Sequence, residues 1–228
     1  MAKSTPRAVA NAGRRLGTKV APCSFMSKLW PLFVVIAACG GQSSPSLPWL
    51  RGLTPTATTD GEVPAVTDRI TELTGEPDEG GYGGLEVSGN GLDVLASFHQ
   101  GVVVVDGSGH VVGRAPAFAS EGTADDLVSL AIGDGQLDKP VIALAVTRGG
   151  HRESTTWLVL YRVGGSGRLD RLFEQPIEEH DGDDAFVGSV TLIPQGLIYQ
   201  KPHGGLERWQ LDAARGRYVA PRSAAQSK

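Results

Sequence analysis

An antiparallel all-β domain over residues 85–220 is the fold class this sequence predicts, and three observations predict it. β-Branched and aromatic residues recur with a period of two, in short runs that suit half-buried strands. Glycine-containing turns separate those runs every eight to twelve residues or about that. Gly (31) and Pro (14) together make up about a fifth of the 228 residues, a level that interrupts helices throughout and excludes an all-helical chain. Leu, Val, Ile and Phe supply a quarter of the chain, enough to build a core.

The strands are expected, in order, at Leu92–Ser97, Val102–Asp106, Val111–Arg114, Leu127–Ile132, Val141–Thr147, Thr156–Val163, Leu169–Glu174, Gly188–Ile193, Leu197–Lys201, Leu206–Leu211 and Arg217–Val219. Three tight turns are marked by Asp106-Gly107-Ser108-Gly109, Gly164-Gly165-Ser166-Gly167 and Asp212–Gly216, where glycine supplies the positive φ a hairpin needs. Val141–Val146 is apolar on both faces and should be a central strand. Leu206–Leu211 is mixed and should lie nearer an edge or a wet face.

Gly101–Ala115, Trp157–Glu174 and Leu206–Ala220 share one theme of strand, glycine turn and strand, at intervals of about fifty residues. The theme resembles the outer hairpins of β-propeller blades. Three units are fewer than the four or more that close a propeller, so a propeller-like meander and a sandwich both remain open.

Ahead of this body, residues 39–84 are rich in Gly, Ser, Thr, Pro and acidic residues, with scattered apolar residues such as Leu47, Trp49, Leu50 and Leu53. They are expected to form a flexible tether with a reach of roughly 35–40 Å. One short helix interrupts it, with Pro64 at its first position, Val66, Ile70 and Leu73 on one face and Gly75 at its exit. Its role would be packing. Residues 221–228 read as a disordered tail.

The first 38 residues carry six basic residues and no acidic one, followed by the apolar run Leu29–Ala38. Ten residues span about 15 Å as helix against roughly 30 Å of hydrocarbon, too short for a membrane span. A basic flank, a short apolar stretch and small residues at its end make a secretory signal peptide. Ile36-Ala37-Ala38-Cys39 resembles the lipobox of bacterial lipoproteins. That resemblance implies cleavage before Cys39 by signal peptidase II, a diacylglyceryl group on its thiol and an acyl group on the new amino terminus. Three acyl chains hold a protein on a membrane almost irreversibly, at roughly 0.8 kcal/mol per buried methylene. Met26-Ser27-Lys28 offers a conventional start of its own. The alternative export route is a twin-arginine signal at Arg14-Arg15, whose following residues Leu16-Gly17-Thr18-Lys19 match that pattern poorly. Cys23 precedes the cleavage site, so the exported chain holds no thiol pair.

The whole chain has 21 basic and 25 acidic residues. Removing the six basic residues of the signal segment leaves the exported chain near −10. Such a body repels phosphate backbones, which argues against nucleic acid as a partner and against electrostatic docking on anionic lipid. The segment Gly133–Pro140 resembles the calcium loops of integrin-type blade repeats at Asp134, Gly135 and Asp138. The two earlier ligand positions fall on Leu130 and Ile132, so a polar turn is the better reading. A second acidic stretch, Glu178–Asp184, concentrates five carboxylates and His180 in what reads as a solvated loop, and its density is the one feature that suits a hard cation.

His99, His110, His151, His180 and His203 stand singly, without the paired spacing of a zinc site. No nucleophile elbow, phosphate loop or dinucleotide fingerprint is present, and no cofactor is expected. Trp157, Tyr161, Tyr199, Trp209 and Tyr218 fall on strands, where sheet packing outweighs a ligand platform. Arg148, Arg152, Arg162, Arg168 and Arg171 surround one hairpin and have Glu153, Asp170 and Glu174 nearby as partners.

The expectation is a lipid-anchored extracytoplasmic β-domain of the bacterial cell envelope, facing periplasm or exterior. It binds or scaffolds an envelope protein or glycan, and Cys39 is its lipidation site. The competing class is an envelope hydrolase whose site is assembled from distant loops. A hydrolase predicts convergence of several of His99, His151, His180, Asp181 and Asp183 in a deep pocket, and a binding module predicts a flat or grooved face bearing aromatics or arginines.

Overall fold

The chain enters its sheets through β1 (Leu50–Arg51) and β2 (Thr54–Thr59), passes through helix α1 (Val66–Thr74), and then runs three successive antiparallel meanders. This computed structural model describes residues 47–59, 63, 65–77, 83–116, 126–135, 137–150, 153–165 and 167–220, all within the unit Gln42–Lys228. The signal segment with Met26, Cys39, Pro64, His151, Arg152, Ser166 and the tail 221–228 lie outside the described residues.

The first meander is β3 (Gly84–Gly89), β4 (Leu92–Ser97), β5 (Gly101–Asp106) and β6 (Val111–Ala115). The second is β7 (Asp126–Asp134), β8 (Val141–Gly149), β9 (Glu153–Val163) and β10 (Leu169–Asp181), widened by β11 (Asp184–Val187) on one edge and by β2 on the other. The third is β12 (Ser189–Ile193), β13 (Gly196–Gln200), β14 (Leu206–Asp212) and β15 (Arg217–Val219), with β1 running parallel to β12.

The predicted all-β class and all eleven predicted strands are present. The three repeated hairpins are β5–β6, β9–β10 and β14–β15, the last two strands of each four-stranded meander. The interval of about fifty residues is therefore the length of one sheet.

Strand alternation explains why the meanders stack. On β8 the odd residues Val141, Ala143 and Ala145 join the core cluster that holds Val190, Leu192, Leu197 and Tyr199 of the third meander. The even residues Ile142, Leu144 and Val146 join the cluster that holds Leu85, Val94, Val102 and Val104 of the first. Successive side chains point to opposite faces of a strand, so a segment apolar at every position can face two cores. The first meander repeats the device. Leu95, Val103 and Val105 point away from the second sheet and are covered by Val66 and Ile70 of α1.

Gly75 ends α1 in the left-handed region at φ 73°, and its N–H donates to the Thr71 carbonyl at 2.8 Å. Arg69 ties the helix to the sheet through Glu86 and, at 2.9 Å, Asp93.

Two expectations are corrected. The expected tether does not extend across 47–59: Leu47, Trp49, Leu50 and Leu53 are buried in the same core as Leu158 and Leu192. β1 and β2 add strands to two different sheets. The switch between them turns on Gly52, whose φ is 78° and where a Cβ would lie 2.3 Å from the Leu192 carbonyl oxygen. The second correction concerns Glu178–Asp184, which is a hairpin and not a loop. Glu178 to Asp181 continue β10 against β9, and Asp184 opens β11.

Burial raises all three described tyrosine phenols above their ordinary range. Desolvation pushes Tyr199 up to about 12, helped by Glu179 and Glu207, while its hydroxyl donates to the Pro176 carbonyl at 2.7 Å. Desolvation likewise raises Tyr161 and Tyr218. A phenol raised in the folded state stabilises the fold fully below its unfolded value of about 10, and that contribution is lost as pH rises through the folded value. Alkaline titration followed by phenolate absorbance should therefore show these three of the four tyrosines ionising late, together with loss of tertiary structure. Four phenols titrating at the ordinary value in a chain still folded would contradict this burial.

Candidate functional site

The second sheet is longest where β8, β9, β10 and β11 run past the apolar core, and there a cross-strand row is set by register alone. Arg148 on β8 pairs with Thr155 on β9, Thr155 with Glu179 on β10, and Glu179 with Phe186 on β11. Trp157 stands two residues inward of Thr155, on the same face. These residues, together with Glu153, His180, Asp181 and His203 from the β13–β14 turn, line an open groove of about 690 Å³.

The Arg148 guanidinium lies 5.7 Å from the Trp157 ring centroid and 3.8 Å from a Glu174 carboxylate oxygen, so the cation is held over an aromatic face. His203 meets Glu179 at 2.6 Å and packs against Phe186 with ring centroids 4.2 Å apart and planes tilted by 41°. His180 meets Glu178 at 2.9 Å. The groove thus presents a cation, carboxylates and two aromatic rings on strands, with the His203 imidazole reaching in from a turn. Such an array recognises a polar chain through hydrogen bonds along its length and ring faces beneath it.

Of the residues whose convergence marks a hydrolase, His180 and Asp181 line the groove. His99 sits in the β4–β5 turn beside Phe98, Asp183 sits in the β10–β11 turn, and neither lines it. His151 lies outside the described residues. His110 bonds the Ser108 hydroxyl at 2.8 Å in the first meander, far along the chain from the groove.

The acidic stretch is divided by the strand itself, because alternation sends Glu178 and His180 to one face and Glu179 and Asp181 to the other. Among the described residues no group of three or more His, Cys, Asp or Glu side chains is placed to hold a metal ion. In the calcium-like segment, Asp134 ends β7 and accepts a hydrogen bond from the Asn90 amide at 3.2 Å.

Packing holds most of the strand aromatics. Tyr161, Tyr199 and Tyr218 are buried, and Trp209 packs edge-on against Phe173 at 5.1 Å while its indole N–H donates to Glu207. Trp157 is the member of that set that lines the groove. Of the hairpin arginines, Arg162 pairs with Asp170 at 3.4 Å, while Arg148 and Arg171 share Glu174. Phe186 and His203 are groove residues that sequence reasoning missed. Phe186 lies on a four-residue edge strand without an alternating pattern, and His203 lies in a turn.

Comparison with family models, with curated proteins and with solved structures finds no match.

Proposed function

We propose that this chain is a lipid-anchored domain of the bacterial cell envelope that binds a glycan strand in the groove at the end of its second sheet. The anchor is the acylated Cys39, with the domain facing periplasm or exterior. The observation that carries the binding role is the row Arg148, Thr155, Glu179 and Phe186 with Trp157 beside it. Four adjacent strands hold the five side chains in fixed register over an open groove. Sites built on strands hold their geometry better than sites on loops, which favours recognition without a closing motion. A glycan suits the chemistry, since its hydroxyls bond carboxylates and guanidinium while its ring faces stack on aromatics. Among the described residues no helix is long and apolar enough to cross a membrane.

The test is titration of the purified chain with soluble cell-wall glycan fragments, followed by calorimetry. Trp157→Ala should weaken binding by about tenfold or more, and Glu179→Gln should weaken it while leaving the unfolding midpoint within about 0.5 kcal/mol. Equal affinity of Trp157→Ala and the parent chain would remove the groove from the reading. Failure of every fragment to bind would remove the glycan.

A further inference from the structure

We infer that the outer face of the third meander docks on an anionic lipid surface, with Arg51, Arg208 and Leu206 as its contacts. The inference rests on the proposed anchor at Cys39 and adds an orientation to it.

Register defines the face. Arg51 on β1 pairs with Thr191 on β12, Thr191 with Ile198 on β13, and Ile198 with Arg208 on β14. One row across four strands therefore carries an exposed arginine at each end. Their neighbours Leu50, Val190, Leu197 and Trp209 point the other way, into or against the core. Leu206 lies two residues from Arg208 on the same face and is 69% exposed, the most exposed large apolar side chain among the described residues. Arg217 adds a third cation on β15, opposite Asp212, whose carboxylate is shared with Arg215 at 3.5 Å. An anionic chain thus turns a locally cationic, apolar-tipped sheet face outward. The five carboxylates of Glu178–Asp184 sit on a different sheet, on β10, β11 and their turn. Net charge argues against docking on anionic lipid, but a flat face meets the membrane through its own residues, within a Debye length of about 10 Å.

Chain length supplies the second argument. Leu47, the first described residue, is buried, and β1, which follows it, is an edge of this same sheet. Eight peptide links join Cys39 to Leu47, so a lipid-bound cysteine lies within about 29 Å of Leu47, three residues before the chain enters that sheet at Leu50. A tether that short raises the local concentration of the face at the bilayer, where weak attraction by two or three arginines suffices.

The test places the acylated full chain on vesicles of phosphatidylcholine alone, or of phosphatidylcholine with phosphatidylglycerol, and measures hydroxyl-radical labelling of Leu206. Val187, 59% exposed on β11, is the internal reference. On anionic vesicles at low salt, Leu206 labelling should fall by about fivefold or more relative to Val187, and the protection should vanish at high salt and in Arg51→Gln/Arg208→Gln. Equal Leu206 labelling on both vesicle types, or protection that survives the double substitution, overturns the inference. Failure of the anchor reads out separately, as a chain that does not float with phosphatidylcholine vesicles. In that event Cys23→Ser chain coupled through Cys39 to a maleimide lipid is labelled in the same way, and the same two outcomes decide the face.

Discussion

Trp49→Ala should cost the fold about 3–5 kcal/mol, as loss of a buried indole does elsewhere. Trp49 is 8% exposed and belongs to the core cluster shared by the second and third meanders. Its carbonyl also accepts the Val190 N–H at 2.8 Å, stitching the entering chain to β12. A flexible tether would give a different result, since an exposed residue in a mobile segment changes stability by less than about 0.5 kcal/mol. The measurement is denaturant unfolding of parent and variant at equal slope, with the midpoint shift converted to free energy. A shift below about 0.5 kcal/mol would return residues 47–59 to the tether. Because the predicted loss is of the same order as the whole stability of a small domain, Leu50→Val serves as a milder companion and should lower the midpoint without preventing folding.

The reason this segment was misread is visible in its residues. Leu47, Trp49, Leu50 and Leu53 are spaced irregularly, interrupted by Pro48 and Gly52, so neither a helical nor a strand period emerges. Their burial depends on a parallel pairing with Val190 and Thr191, some 140 residues further on, which no local pattern announces. The same holds for β11. Asp184–Val187 is mostly exposed and earns its strand geometry from ladder bonds to Glu178–Asp181. By contrast, Val141–Val146 was legible as central because a strand with two buried faces must be apolar at every position, and Leu206–Leu211 as peripheral because one of its faces is wet. The fifty-residue recurrence of Gly-rich hairpins was legible too, and it marks the last hairpin of each four-stranded meander. The groove was half legible. Trp157 and His180 stood out as residue types, while the row joining Arg148 to Phe186 exists only through the register of four strands.

Replacing Cys39 by alanine should abolish acylation of this chain and leave its precursor uncut, because the thiol is both the acceptor of the first lipid and the residue that fixes the cleavage point in the lipobox-like sequence Ile36-Ala37-Ala38-Cys39. Metabolic labelling with a fatty acid, read by gel and by mass spectrometry of the amino-terminal peptide, measures both effects. Cys23→Ala should keep full labelling, as should a chain begun at Met26, since neither change touches the apolar run or the acceptor thiol. Replacing Arg14 and Arg15 by lysine separates the export routes: labelling that survives assigns export to the ten-residue apolar stretch, and labelling that is lost assigns it to the twin arginines. That stretch is about half the length a helix needs to cross a bilayer. The uncut Cys39→Ala chain therefore keeps a far weaker hold on the membrane than three acyl chains give, and a larger share of it should wash off in carbonate. Unchanged labelling of Cys39→Ala would remove the anchor, and with it the envelope setting of the groove.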